Sequence, residues 1–291
     1  MPPVVTPVLV PAAIMGVTLL LSWGAWFRRS QFSKGHWGGA VGLAGAYVSA
    51  HVLLKSWPAF PPARADDWQA WLAVALGIIG CTQRWWGLKW FIAIPLRIVV
   101  SGGVLALLLQ SQIEFRWEGT EVWYWMSGLS AAAAVFWHSL ESLAQRRPGA
   151  SHPLGLWTLC ALSAASFSLA GSAFFGQLAG GLAGAFGAAL VLGWWSSGVT
   201  LSGGALSVFA PLYCGLVARG YFHAELPAFS AVLLYLAPFA LWWGEMRRIV
   251  FQKPWKSVII RAGLVALPAA VALLLTYVLV FRAAQDSGYA Y

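Results

Sequence analysis

The sequence predicts an all-α fold: a polytopic transmembrane helix bundle of about ten spans with both termini extracytoplasmic. Three observations carry that expectation. Only 9% of the 291 residues are charged and 60% are hydrophobic, where a soluble domain has about a quarter of its residues charged. The apolar residues form runs near the roughly 20 residues that a helix needs to cross a hydrocarbon core about 30 Å thick. Lys and Arg gather in alternate loops, as the positive-inside bias requires.

The runs fall at 4–27, 37–54, 68–83, 90–109, 122–143, 154–172, 175–195, 203–221, 227–243 and 258–281, read as one integral membrane domain over 1–291. Arg28 and Arg29 follow the first run and no charge precedes it. A cleaved signal peptide has the opposite order, so this run is expected to stay, with its N-terminus outside. The stretch from Leu154 to Trp195 has no charge. As one helix it would be about 60 Å long, twice the hydrocarbon thickness, so it must be two spans. Turn-forming residues place the hairpin near Gly171 to Gln177.

With that threading, the inner loops and span ends hold Arg28, Arg29, Lys34, Arg84, Lys89, Arg146, Arg147, Arg247, Arg248, Lys253 and Lys256. The outer side holds Lys55, Arg64, Arg116, Arg219 and Arg282. Tryptophan gives a signal that shares no residues with the first, because its amphipathic ring prefers the headgroup level. Trp23, Trp26, Trp37, Trp85, Trp86, Trp90, Trp194, Trp195, Trp242, Trp243 and Trp255 fall at inner span ends. Trp57, Trp68, Trp71, Trp117, Trp123 and Trp125 fall at outer ones. The bacterial inner membrane is the expected location.

The net charge of +9 is spread singly and in pairs between apolar runs. A nucleic-acid surface clusters its cations on one face, so topology accounts for the charge and no nucleic-acid partner is expected. Cys81, Cys160 and Cys214 stand far apart inside apolar runs, without metal-ligand spacing, and read as small packing residues. The chain has no Asn, hence no N-glycosylation acceptor.

An ionisable group in the apolar zone costs about 2.5–3.5 kcal/mol on insertion scales, which makes it a functional candidate. Arg97 and Arg261 lie within the fourth and tenth runs. His138 and Glu141, three apart in the fifth, share a helix face. Together the four form a candidate solute or ion pathway on the inner side, although snorkelling of the arginines to the headgroups competes with that reading. Pro211, Pro238 and Pro268 fall near the middle of the last three runs, where each removes a backbone donor and bends or breaks its helix. Gly176, Gly180 and Gly184 recur every four residues, a seam for close helix packing within the monomer.

The outer loop Trp117 to Trp125 (WEGTEVWYW) resembles, over nine residues, the tryptophan-rich haem-handling loop of cytochrome c biogenesis proteins, which histidines flank on the same face. His51 and His223 are on that face here, but the acidic residue that ends the family's motif is missing after Trp125. An interfacial aromatic belt is the simpler expectation. No nucleophile elbow, HExxH pair, Walker loop or dinucleotide fingerprint occurs, so neither catalysis, cofactor nor metal is expected.

These features point first to a small secondary transporter or permease, whose partners are the bilayer and a small solute. A non-catalytic subunit or scaffold of a membrane complex is the alternative, and a membrane enzyme or haem-handling protein the third reading. A transporter should show a polar cavity reaching the midplane and a scaffold a dry bundle. The orientation is tested by cysteine labelling with an impermeant maleimide in intact cells. A cysteine at Tyr291 should react and one at Arg28 should stay unlabelled; labelling of Arg28→Cys from outside reverses the threading.

Overall fold

The computed structural model describes residues 5–23, 36–62, 64–86, 90–146, 149–195, 201–245 and 254–286, and these are all-helical, with no strand among them. Eleven α-helices follow one another: α1 (Thr6–Trp23), α2 (His36–Lys55), α3 (Ala65–Trp86), α4 (Trp90–Leu108), the short α5 (Gln110–Phe115), α6 (Gly119–Arg146), α7 (Ser151–Leu169), α8 (Ala173–Trp195), α9 (Ala205–His223), α10 (Ala228–Leu236) and α11 (Pro254–Asp286). A 3-10 segment over Ala237–Glu245 extends α10. Each of the ten apolar runs is mostly helical over its described residues. Several loops that carry the topological charge, with Arg28, Arg29, Lys34, Lys89, Arg147, Arg247, Arg248 and Lys253, lie outside the described residues.

By length and composition, six of the described helical segments can cross a membrane: α2, α4, α8, α9, α10 with its 3-10 extension, and α11. Four other long helices miss that standard: α1 is apolar but short, over Thr6–Ser22, and the remaining three miss it for a visible polar reason. α3 begins on Asp66, Asp67 and Gln69, α6 carries Glu121, His138 and Glu141, and α7 is rich in serine.

α9 is the hub. It packs on α2, α3, α4, α6, α8 and α10, and the remaining contacts close a ring around it in the order α1, α2, α3, α4, α6, α10 with its extension, α11, α7, α8 and back to α1. Every residue of α9 from Ala205 to Gly220 is buried. At its middle, Phe209 and Tyr213 stack at 5.1 Å, Phe186 meets Phe209 edge-on at 5.0 Å and Phe136 stacks on Tyr213 at 5.8 Å. The Tyr213 hydroxyl is paired with Ser163 Oγ at 2.7 Å, which satisfies its polar end inside an apolar centre.

The division between the sixth and seventh runs falls at residues 170–172, where Gly171 takes φ +86°. That left-handed geometry suits glycine, and the Ser172 hydroxyl accepts from the Phe175 N–H to start α8. The three mid-run prolines behave differently from one another. At Pro238 the α-helix gives way to 3-10 geometry one residue earlier, whereas α9 and α11 run on through Pro211 and Pro268. All three cysteines are free, with Cys160 and Cys214 buried and Cys81 partly so.

The glycine seam of α8 is intramolecular. A methyl group at Gly184 would collide with the backbone carbonyl of Val8 in α1, and one at Gly176 with Ser168 and the Ala164 carbonyl of α7, whereas one at Gly180 would sit 3.7 Å from Val8 Cγ2. Backbone cannot retreat as a side chain can, so overpacking at Gly184 should cost about 1–3 kcal/mol. The thermal midpoint of detergent-purified Gly184→Ala should fall clearly below wild type while Gly180→Ala stays near it; equal midpoints would remove the α1–α8 contact from the account of stability.

Candidate functional site

Charged and polar side chains gather at both ends of α9, in two clusters. The cluster at the N-terminal end of α9, called inner after the threading expected from the sequence as the one at the other end is called outer, is built on α4, α6 and the turn before α9. Arg97, 8% exposed on α4, places Nη1 2.6 Å from His138 Nδ1 and its guanidinium 5.3 Å from the centre of the Trp137 ring. A guanidinium only donates, so His138 accepts through Nδ1 and is the neutral tautomer with its proton on Nε2. One turn on, buried Glu141 accepts from the Gly203 N–H at 2.8 Å and from Gln145 Nε2 at 3.3 Å. Gly203 has φ +77°, which presents its N–H to the carboxylate just ahead of α9. A carboxylate there also complements the positive end of the helix dipole.

The structure thus brings together three of the four residues that the sequence singles out. Arg261 has its own set of partners. Its Nε and Nη2 donate to the Gly244 carbonyl at 3.2 and 3.0 Å, and Nη2 pairs with Glu245 at 3.0 Å. The guanidinium therefore closes the C-terminal end of the 3-10 segment, where exposed carbonyls favour a cation. It is only 4% exposed, so the arginine is enclosed by protein rather than extended along the surface.

The outer cluster went unrecognised in the sequence. Asp66, at the start of α3, pairs with Lys55 at the end of α2 and, at 2.5 Å, with Nη2 of Arg219 on α9. Each cation has an aromatic face on another side, Lys55 at 4.5 Å from the Phe174 centroid and Arg219 at 4.7 Å from that of Phe175. The Gly171 turn sets both rings at the start of α8. Beneath these pairs lie Tyr47 and His51 on α2 and Gln69 on α3, none more than 1% exposed. Seven polar atoms on four side chains there lack a hydrogen-bond partner: Tyr47 Oη, both ring nitrogens of His51, both amide ends of Gln69, and Nε and Nη1 of Arg219.

A signal for this cluster exists in the sequence. Tyr47, His51 and Lys55 recur every four residues on one face of α2, and Asp66 and Gln69 are three apart on α3. Arg219 reads as a loop charge when Lys and Arg are only counted by side. The helix places it one turn inside the C-terminus of α9, at 6% exposure.

The tryptophan-rich loop forms an aromatic cluster with Phe222, the neighbour of His223 in α9. Trp117 and Trp125 stack at 6.1 Å, both meet Phe222 edge-on at 5.0 and 5.2 Å, and Trp123 and Tyr124 point outward. His223 is bonded through Nε2 to Ser111 Oγ at 2.9 Å, while His51 lies edge-on to Phe174. Among the described residues no three His, Cys, Asp or Glu side chains are grouped to hold a metal ion. Beside this loop a cavity of about 260 Å³ between α4, α6, α9 and α10 is lined by apolar groups including Leu105, Trp125, Val217 and Tyr235.

No family model matches the chain, and no curated protein or solved structure shows significant similarity to it.

The outer pairing has a pH signature. Burial alone raises the Asp66 carboxyl, but the Arg219 guanidinium and the Lys55 ammonium outweigh it and hold it below the ordinary carboxylate value. In the unfolded chain Asp66 binds its proton more readily, so stability rises with pH through this region. The contribution is present above about pH 4, where an ordinary Asp titrates, and is lost as pH falls through the depressed value. The gap in thermal midpoint between wild type and Asp66→Asn should therefore be widest near neutrality and close in acid; a gap independent of pH would show that the Asp66 charge is not what stabilises this end.

Proposed function

We propose that the chain is a small secondary transporter or permease of a bacterial inner membrane, threading it about ten times with both termini extracytoplasmic, and that the two clusters are its closures. The observation that carries the reading is their placement at opposite ends of one enclosed helix. Arg97, His138 and Glu141 hold the inner end of α9, and Asp66, Lys55 and Arg219 hold the outer end. Between them lies the aromatic packing of Phe136, Phe186, Phe209 and Tyr213. A solute path with two such closures works by alternating access when opening one favours the other staying shut.

Each closure suits that task energetically. At the outer end Arg219 is 6% exposed, so removing Asp66 would leave a buried guanidinium without its carboxylate, and at the inner end removing the Glu141 carboxylate would leave the Gly203 N–H without its acceptor. Because each closure consists of a few polar contacts, it can release as a unit.

The tight aromatic centre favours a second reading, the non-catalytic subunit or scaffold, in which the same pairs only anchor a dry bundle. The two readings differ in how the ends communicate. Hydrogen–deuterium exchange in proteoliposomes, comparing wild type, Glu141→Gln and Asp66→Asn, separates them. For a transporter, Glu141→Gln speeds exchange around residues 201–204 and slows it around 56–66, and Asp66→Asn does the reverse; a loss of about 1.4 kcal/mol at one closure shifts the balance of open forms about tenfold. Faster exchange confined to the mutated end supports the scaffold and ends the transport reading.

A further inference from the structure

The seven orphaned atoms of the outer cluster are sealed from water, and a buried polar atom without a partner is costly. They are not scattered: Tyr47 and His51 are one turn apart on α2, Gln69 is one turn into α3 from Asp66, and Arg219 on α9 is paired with that same Asp66. Both Tyr47 and His51 lie within the electrostatic reach of Arg219 and Asp66. A scaffold gains nothing from this set, since leucine would fill the place of Gln69 without two orphaned amide atoms.

The charges and hydrogen-bonding groups indicate what fits. Asp66 joins Lys55 and Arg219, and these three sum to one net positive charge; Asp67 also acts on His51, so a monoanion is met better here than a dianion. Arg219 commits Nη2 to Asp66 and keeps Nε and Nη1 as free donors. Gln69 and His51 each offer a donor and an acceptor, and Tyr47 can serve as either. The Asp66 carboxylate itself shows how a carboxylate sits on this guanidinium.

We propose that Arg219, Tyr47, His51 and Gln69 form a binding site for a small soluble monocarboxylate bearing a hydroxyl or oxo group, with Asp66 as a built-in competitor that occupies Arg219 while the site is closed. When the outer closure parts, the solute carboxylate replaces Asp66 on Arg219, and Asp66 stays with Lys55. The solute's second polar group then pairs with Gln69, His51 and Tyr47. No covalent bond changes and no proton needs to move. The site deepens the transport reading, resting on it for onward movement of the solute, but its binding step is measurable alone.

The test is thermal stabilisation of the full chain in detergent by lactate, propionate, inorganic phosphate and, as the lipid-headgroup arm, phosphatidylglycerol in mixed micelles. Lactate should stabilise more than propionate or phosphate, and phosphatidylglycerol should not compete with it. Asp66→Asn, which removes the competitor, should tighten lactate binding about tenfold, and Lys55→Met, which leaves Asp66 to Arg219 alone, should weaken it. Gln69→Leu gives opposite signs that a purely structural residue would not: the ligand-free midpoint rises because the orphaned amide is gone, while lactate binding weakens severalfold. Arg219→Gln, if it folds, loses binding. The proposal is overturned if lactate stabilises neither wild type nor Asp66→Asn, if Asp66→Asn weakens binding, if Gln69→Leu leaves the lactate response unchanged, or if phosphatidylglycerol displaces lactate. Lactate binding without a reciprocal exchange response keeps the site and removes transport; a reciprocal response without lactate binding does the opposite.

Discussion

Full enclosure of α9 is the constraint from which the rest of the structure follows. A helix at the rim of a membrane bundle can turn any face to lipid and extend long polar side chains toward the headgroups, whereas α9 is ringed by other helices from Ala205 to Gly220. Whatever polar group it carries must be met by protein. The N–H ahead of its first turn is met by Glu141, and the guanidinium in its last turn by Asp66. Both partners come from neighbours in the ring, so each tie also fixes a neighbour's rotation. Glu141 brings Arg97 and His138 to the inner end through α6, and Asp66 brings Lys55 to the outer end through the α2–α3 turn.

The helices themselves were legible because lipid imposes a length on them. The apolar runs fall on helices where their residues are described, six segments being long and apolar enough to cross a membrane, and the uncharged tract from Leu154 to Trp195 divides at Gly171, where geometry calls for a residue without a Cβ. Their arrangement was not legible. In water an apolar stripe points to the core, but in a bilayer the lipid face is as apolar as the packed one. α11, the most apolar of the candidate spans, lies in the ring with many side chains exposed, and α9, among the least apolar of them, is the hub.

The same loss of direction explains which site residues sequence reasoning found. His138 and Glu141 share a face because they are three apart, and that local fact survives any packing. Their partners do not follow from spacing: the Gly203 N–H is 62 residues from Glu141, and Asp66 is 153 from Arg219. Counting charges by side gives Arg219 no depth along its helix, so its burial in the last turn of α9 was not foreseen. Arg261 was singled out for the cost of a charge in apolar surroundings, and it is 4% exposed. The carbonyl of Gly244 that offsets that cost is contributed by a 3-10 segment whose geometry no hydropathy pattern encodes.

The two ends of α9 differ in a way that bears on which one opens to a ligand. At the inner end Arg97 is met by His138, and Glu141 by the Gly203 N–H and Gln145, while the Trp137 indole N–H lacks a partner. At the outer end the deficit lies on the functional groups themselves, two donors of Arg219 and both ends of Gln69. Admitting a polar ligand there relieves a cost that the closed form carries. A bundle selected only for rigidity would lose this deficit readily, because replacing buried polar groups by apolar ones of similar shape is commonly neutral or stabilising. Its concentration on four side chains from three helices, next to a carboxylate already seated on the arginine, is the reason the proposed ligand site is put at the outer end of α9.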